Sequence, residues 1–549
     1  MISRLKSWGP LVALGFLWEL LNHYLFLPLV WQITTPLLKA ASIPFVSIAN
    51  TTWLITHRLI IVILLIIELL AVLGLFTSEL ISIVIAAKAI TDGSFTWKTS
   101  LRQWLKHDRL LGGPLVLETG ILILALAPWV SLIFKTPLFV ELRLPEILLD
   151  FLFRKPTFLI LGFITNLVCL SLTIRCLPTI WYQINQRMAF KTAWQYSRTK
   201  APVVWQATWR IGILASGFSV LITLIGLAIQ ASWHPTPSLT LALIQWGHLI
   251  ILMLSGGWFV DQVLQTQRPR WQKGWVLGGG LSLLFLGLAF TEAQWYFQPL
   301  RRPMVISHRG TNANNAVQNT LTALKETRHD HPTAIEMDIH ETRDHQFIVV
   351  HDENLKHLTG INKRPHQLTL RELTKLQVHE HGHSGKLVSF SHYLKVADQL
   401  HVPLIVEIKT TPADSTTIVN HFNRLYGQTL IRHHAYVHSL DYRVIQKLHQ
   451  LNPQLKLLYL QPYTITSPLL GVGEDMEYST LNPHFIRQTH QLKQLVFAWT
   501  VDTKWGIREM HFYHVDGIIT NNLSEAKQTL AKLQNHPSIT KRMLVYLFF

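Results

Sequence analysis

MVISHRGTNAN, residues 304–314, opens as a short buried strand and then changes character. Met304 to Ser307 are mostly apolar and run straight into His308, Arg309 and Gly310. A strand that stops on an imidazole, a guanidinium and a glycine delivers chemistry to its end, not more core. Downstream, short apolar runs recur with helical, polar segments between them. The predicted strands are MVIS (304–307), AIEMDI (334–339), PLIVEIK (403–409), AYVHSL (435–440), KLLYL (456–460), LVFAWTV (495–501) and GIIT (517–520). QFIVV (346–350) and the neighbourhood of STLNP (479–483) compete for the remaining places. About eight strands alternating with helices over roughly 250 residues predict a (β/α)8 TIM barrel, whose catalytic face is built at the C-terminal strand ends.

The polar residues fall at those ends. Glu336 and Asp338 are two apart on the second strand, so the strand's period of two points both to one side. Glu407 and Lys409 repeat that spacing in PLIVEIK, and His351 and Asp352 close QFIVV. Buried carboxylates are costly unless compensated, and three that converge need a cation between them. An all-oxygen set with no cysteine selects a hard ion, Ca²⁺ or Mg²⁺. Each element alone has a duller reading as a loop histidine, a polar strand face or a cross-strand ion pair. Their conjunction, each ending an apolar run, is the specific signal. HEHGHSG (379–385) also places histidines at alternate positions, but reads better as an exposed loop.

The first three hundred residues have another composition. Of 28 histidines only 5 precede residue 301, and acidic residues divide as 11 before it and 21 after. The chain of 549 residues is 49% hydrophobic and 15% charged, too apolar for an ordinary soluble protein. Apolar windows near 10–33, 59–86, 110–134, 157–174, 211–231, 239–260 and 275–292 predict about seven spans, each needing roughly 20 residues to cross a bilayer. ASIPFVSIANTTWLIT (41–56) is re-entrant, interfacial or an eighth span. With the N-terminus inside, 16 lysines and arginines fall in inner segments and six in outer ones, the bias of the positive-inside rule. Seven spans then place everything after residue 295 outside the cell. The net charge of +17, with the Trp- and Arg-rich segment 189–210, is that of a membrane interface and not of a nucleic-acid binder. Glu68, Glu118 and Asp261 lie in or beside spans, as a polar groove for a lipid headgroup or as inter-helix hydrogen bonds. Cys169 and Cys176, seven apart on one helix, are too distant for a disulfide. The resulting domains are a transmembrane bundle over 1–295, a barrel over 303–535 and an apolar tail over 536–549, ending in MLVYLFF.

The downstream residues HRG (308–310), NT (319–320), E-M-D (336–338), T-R-D (342–344), VVHD (349–352), E-I-K (407–409), WT (499–500) and DGIIT (516–520) resemble the glycerophosphodiester phosphodiesterases. The apolar half resembles, more loosely, the multi-span region of membrane-bound members in Gram-positive bacteria. The chain departs from the family pattern at Gln318, where Glu is usual, at His345, where a turn glycine is common, and at Asn521, where an Asp is typical.

The resemblance implies cleavage of a glycerophosphodiester to sn-glycerol 3-phosphate and an alcohol. It implies that Glu336, Asp338 and Glu407 hold a divalent ion, that His308 and His351 act as base and acid, and that Arg309 and Lys409 bind phosphate. Trp499 would wall the glycerol, though a barrel tryptophan is more often packing. The anchor suggests a membrane lipid headgroup or a lipoteichoic or wall teichoic acid as substrate. The competing readings are a membrane protein that binds phosphodiesters without turnover, and a phospholipase D-like enzyme acting on lipids.

Overall fold

The computed structural model describes residues 9–41, 54–106, 113–133, 156–264, 274–411, 413–462, 472–535 and 538–548. The chain divides into two compact units, one of apolar helices and one containing the sheet.

Six helices among the described residues are long and apolar enough to cross a membrane, and a shorter apolar helix, Pro114–Ala125, matches the third predicted span. Their outward faces carry large apolar side chains such as Ile60, Leu69, Leu124, Phe163 and Ile213, all exposed. This is the surface a lipid solvent favours, and the unit is a multi-pass membrane domain. The basic segment 189–210 is helical almost throughout. It forms the first half of one 44-residue helix, Phe190–Trp233, which at 1.5 Å per residue is about 66 Å long and exceeds a bilayer core of about 30 Å. Glu118 accepts a 2.5 Å hydrogen bond from Gln183 and Glu68 one of 2.6 Å from Thr34, so both acids tie helices together. The side chain of Asp261 and most of segment 41–56 lie outside the described residues. Both cysteines are free thiols. The C-terminal helix Ile539–Phe548 packs within this helical unit, where Tyr546 meets Tyr296 at 4.6 Å between rings and the Tyr296 hydroxyl donates to the Arg542 carbonyl at 2.8 Å.

The second unit is the expected barrel. Its strands in chain order are β1 (Met304–Ser307), β2 (Ala334–Glu341), β3 (Phe347–Val349), β4 (Gln377–Glu380), β5 (His383–Lys386), β6 (Val388–Ser389) and β7 (Leu404–Ile408), then β8 (Tyr436–Ser439), β9 (Lys456–Gln461), β10 (Gly473–Glu477), β11 (Val496–Trp499) and β12 (Gly517–Thr520). Eight of them are parallel and close in the order β1-β12-β11-β10-β9-β8-β7-β2, with β1 pairing β2 to shut the barrel. The β7 strand shows why they pair so. Its five residues are all buried, the continuous apolar run of a strand covered on both faces. Ile405, Phe497 and Ile519 share one packed interior layer with Ile306 and Leu458.

Two expectations fail here. QFIVV is not a barrel strand: β3 runs antiparallel to β2 and carries β6 on its outer edge. The remaining barrel strand is not at STLNP, where Tyr478–Thr480 form a 3₁₀ turn, but just before it, in GEDME. That strand buries Glu474, Asp475 and Glu477, so it reads as polar loop until its partners are known. The HEHGHSG segment is an antiparallel hairpin of β4 and β5 with exposed histidines at 379 and 383.

Candidate active site

The register of the parallel strands builds the site. Asp338 on β2 pairs with Glu407 on β7, and Glu407 pairs with His438 on β8, so three ionisable side chains occupy one rung across adjacent strands. Glu336 stands one side-chain alternation below Asp338 on the same face. All four are at least 94% buried.

Two arrangements divide this cluster. Asp338 is surrounded by donors: Asn319 Nδ2 at 2.8 Å, Lys409 Nζ at 3.3 Å and Arg309 Nε at 3.8 Å. Burial alone would raise its pKa, but Lys409, His351 and Arg309 outweigh burial and hold it well below the usual carboxylate range. Glu336 and Glu407 behave oppositely. Burial, with Asp338 nearby, pushes both upward, although Lys409 donates to Glu407 at 2.8 Å. Neighbouring carboxylates with pKa values driven apart are a mark of functional sites. Lys409 is itself held upward by Glu407 and Asp338 against the effect of burial.

Among the described residues, one group of at least three side chains converges closely enough to hold a metal ion: Glu336, Glu407 and His438, with ligand atoms within 4.8 Å of one another. The sequence reading did not select His438, a lone histidine in an apolar run. Asp338, which it did select, adjoins this group while its oxygens face Lys409, Asn319 and Arg309. The donor set, two buried carboxylates and an imidazole converging on one point, therefore fits a divalent ion.

His308 follows β1, and the turn that presents it uses the left-handed region at Arg309 (φ 54°) and Gly310 (φ 72°). This turn lets the Arg309 N–H donate to Glu336 Oε2 at 3.0 Å. His308 Nδ1 lies 2.8 Å from Asn521 Oδ1, and Asn521 donates its own N–H and Nδ2 to Asp502, each at 2.7 Å. The departure at Asn521 is thus filled by a neutral bridge between His308 and an acid. Burial and then the Arg309 guanidinium push the His308 pKa down to about 3, so the ring is neutral at pH 7. His351 Nδ1 lies 3.0 Å from Asp352 Oδ1, and buried His340 sits with Nε2 3.2 Å from the His351 carbonyl. The departure at Gln318 has a substitute as well. Arg309 Nη1 donates to Gln318 Oε1 at 2.7 Å, and Gln318 Nε2 donates to Glu380 of the β4–β5 hairpin at 2.5 Å, so an acid from elsewhere stands behind the amide. His345, at the place of a turn glycine, adopts φ 56°. Trp499 is partly buried and donates its Nε1–H to the Asp475 carbonyl at 3.2 Å.

Residues 308–525 match the glycerophosphoryl diester phosphodiesterase family, and residues 4–267 match the membrane domain of glycerophosphoryl diester phosphodiesterase. A glycerophosphodiester phosphodiesterase of Caldanaerobacter subterraneus is 23% identical over 232 residues, covering 40% of this chain and 95% of that protein. One from Bacillus altitudinis is 24% identical over 230 residues, covering 40% and 94%. A human lysophospholipase D is 27% identical over 166 residues, 28% of this chain and 50% of that protein. Among solved structures, a glycerophosphodiester phosphodiesterase from Parabacteroides distasonis is 26% identical, covers 43% of this chain and all of its own, and has a TM-score of 0.38. An Oleispira antarctica phosphodiesterase in complex with the product sn-glycerol-3-phosphate is 17% identical, covers 42% and 97%, and has a TM-score of 0.37.

Proposed function

This chain belongs to the glycerophosphodiester phosphodiesterase family and is a phosphoric diester hydrolase, and we propose that it works with a divalent ion on glycerol phosphodiesters at the outer face of the plasma membrane. The observation that carries the catalytic reading is the pairing of an acidic set, Glu336, Asp338 and Glu407, with Arg309 and Lys409 beside it and His308 and His351 flanking both.

Glu336 and Glu407, with Asp338 beside them, would hold the ion, which when bound would polarise a phosphate oxygen and lower the pKa of a nearby hydroxyl or water. Asp338 also orders Lys409 and Arg309, whose charges then offset the phosphate oxygens. His308 is neutral and has its Nδ1 occupied by Asn521, so Nε2 takes the proton of the attacking glycerol 2-hydroxyl or water. His351, with Nδ1 against Asp352, gives a proton to the departing alcohol as its bond to phosphorus breaks. Trp499 lines the glycerol subsite. Attack by water gives sn-glycerol 3-phosphate and the alcohol directly, and attack by the 2-hydroxyl gives the alcohol and a cyclic phosphate that water then opens to sn-glycerol 3-phosphate.

The outward location rests on the bias of lysine and arginine in the membrane domain. A substrate at the membrane or wall follows from that anchor, either a phospholipid headgroup or the polyglycerol phosphate of a teichoic acid. Purified full-length protein is assayed for glycerol 3-phosphate release from glycerophosphocholine with Ca²⁺, Mg²⁺ or EDTA, beside His308→Ala and Glu336→Ala. Release that needs the ion and both side chains is the expected result. Release insensitive to EDTA refutes the metal reading. Activity confined to lysophospholipid or teichoic-acid substrates assigns the substrate class instead.

A further inference from the structure

We propose that His438 is itself a ligand of the ion, so that the site presents two carboxylates and one imidazole and prefers a transition-metal divalent cation such as Mn²⁺ to Ca²⁺. The proposal deepens the divalent-ion reading above and rests on it.

His438 is 2% exposed and occupies the rung beside Glu407. Its Nδ1 lies 2.8 Å from Asp475 Oδ2, which favours a ring proton on Nδ1 and makes Nε2 the nitrogen open to an ion. That nitrogen has no hydrogen-bond partner, and it points to within 3.5 Å of Glu336 Oε1. A buried imidazole nitrogen that makes no hydrogen bond yet faces two carboxylates has the geometry of a ligand. Asp475 supplies the second observation. It is fully buried on β10, and its other oxygen also lacks a partner. A carboxylate behind a histidine fixes the tautomer and raises the basicity of the ligating nitrogen, as in metal sites generally. The same carboxylates favour a proton on Nε2, so proton and ion compete for a single lone pair. Ca²⁺ takes oxygen ligands, whereas first-row transition ions, which bind N/O sites in a rising order that begins at Mn²⁺, accept an imidazole nitrogen.

The test uses full-length protein in detergent, stripped with chelator and titrated with Mn²⁺ or Ca²⁺ by calorimetry. Pulsed electron paramagnetic resonance of the Mn²⁺ form reads ¹⁴N modulation from a directly bound imidazole. The wild type is expected to show that modulation and to bind Mn²⁺ more tightly than Ca²⁺. His438→Gln is expected to lose the modulation and most of the Mn²⁺ preference. Asp475→Asn is expected to keep the modulation and to weaken Mn²⁺ by about 10–100-fold. Mn²⁺ bound by the wild type without nitrogen modulation overturns the proposal and leaves the metal-dependent enzyme standing. No saturable binding of either ion by the wild type overturns both. The decisive signal is read on the wild type, so it does not depend on a variant folding.

Discussion

Asn521→Asp tests whether His308 is the base and whether its neutral partner sets its working pH. In the wild type the ring is buried beside Arg309 and hydrogen-bonded to an uncharged amide, which leaves its pKa at about 3. A carboxylate at the same 2.8 Å replaces a neutral hydrogen bond with a charge-assisted one. The difference between those classes is about 1–2 kcal/mol, or about one pH unit or slightly more at 1.36 kcal/mol per unit. Full Coulomb attraction at about 4 Å and an effective dielectric near 20 would give about 4 kcal/mol, or about three units. Asp502, now 2.7 Å from the amide nitrogen, would repel the new carboxylate and lose its hydrogen bond, so the shift belongs near the lower figure.

The sign follows from the role. A base acts when neutral, so kcat/KM falls as pH drops through its pKa. Raising that pKa moves the acid limb upward, from near 3 to about 4. The assay is the pH profile of kcat/KM for glycerophosphocholine, with Asn521→Ala as control. The alanine removes the acceptor, so it should lower kcat without moving the limb upward. An active Asn521→Asp enzyme whose acid limb stays in place, or moves down, refutes the assignment of His308 as base.

Replacing His308 or His351 with alanine should each lower kcat by about 10²–10⁴-fold with a near-unchanged melting temperature, read by steady-state kinetics and thermal unfolding. Lys409→Met should cost stability as well as activity, because it leaves Asp338 and Glu407 buried without their shared cation. Breaking such a pair typically costs about 3–5 kcal/mol, measurable as a fall in melting temperature of the purified protein. Gly310→Ala should destabilise by about 1–2 kcal/mol, since φ is 72° and the new Cβ would sit 3.2 Å from the Tyr393 hydroxyl. Thermal unfolding checks it, and an unchanged melting temperature would mean that the turn relaxes.

What the sequence disclosed, and what it withheld, follows from how far apart the compensating partners lie. MVIS and GIIT read as strands because every residue needed to bury them is their own, and both match β1 and β12 residue for residue. GEDME did not, because its acids are tolerable only through groups elsewhere in the chain. Glu474 is met by Gln461, 13 residues away, and Asp475 by His438, 37 residues away. No window centred on residue 475 contains the reason it can be buried. His438 was missed on the same ground, since its neighbours in AYVHSL are apolar and only the β7–β8 register sets it beside Glu407. The departures at Gln318 and Asn521 read as losses for the converse reason. Behind each amide stands an acid from elsewhere, Glu380 or Asp502, which the chain brings in through a hairpin and through the loop after β11. A motif read along one strand therefore locates the site, whereas the charge balance within it is set across strands and appears only once their register is fixed.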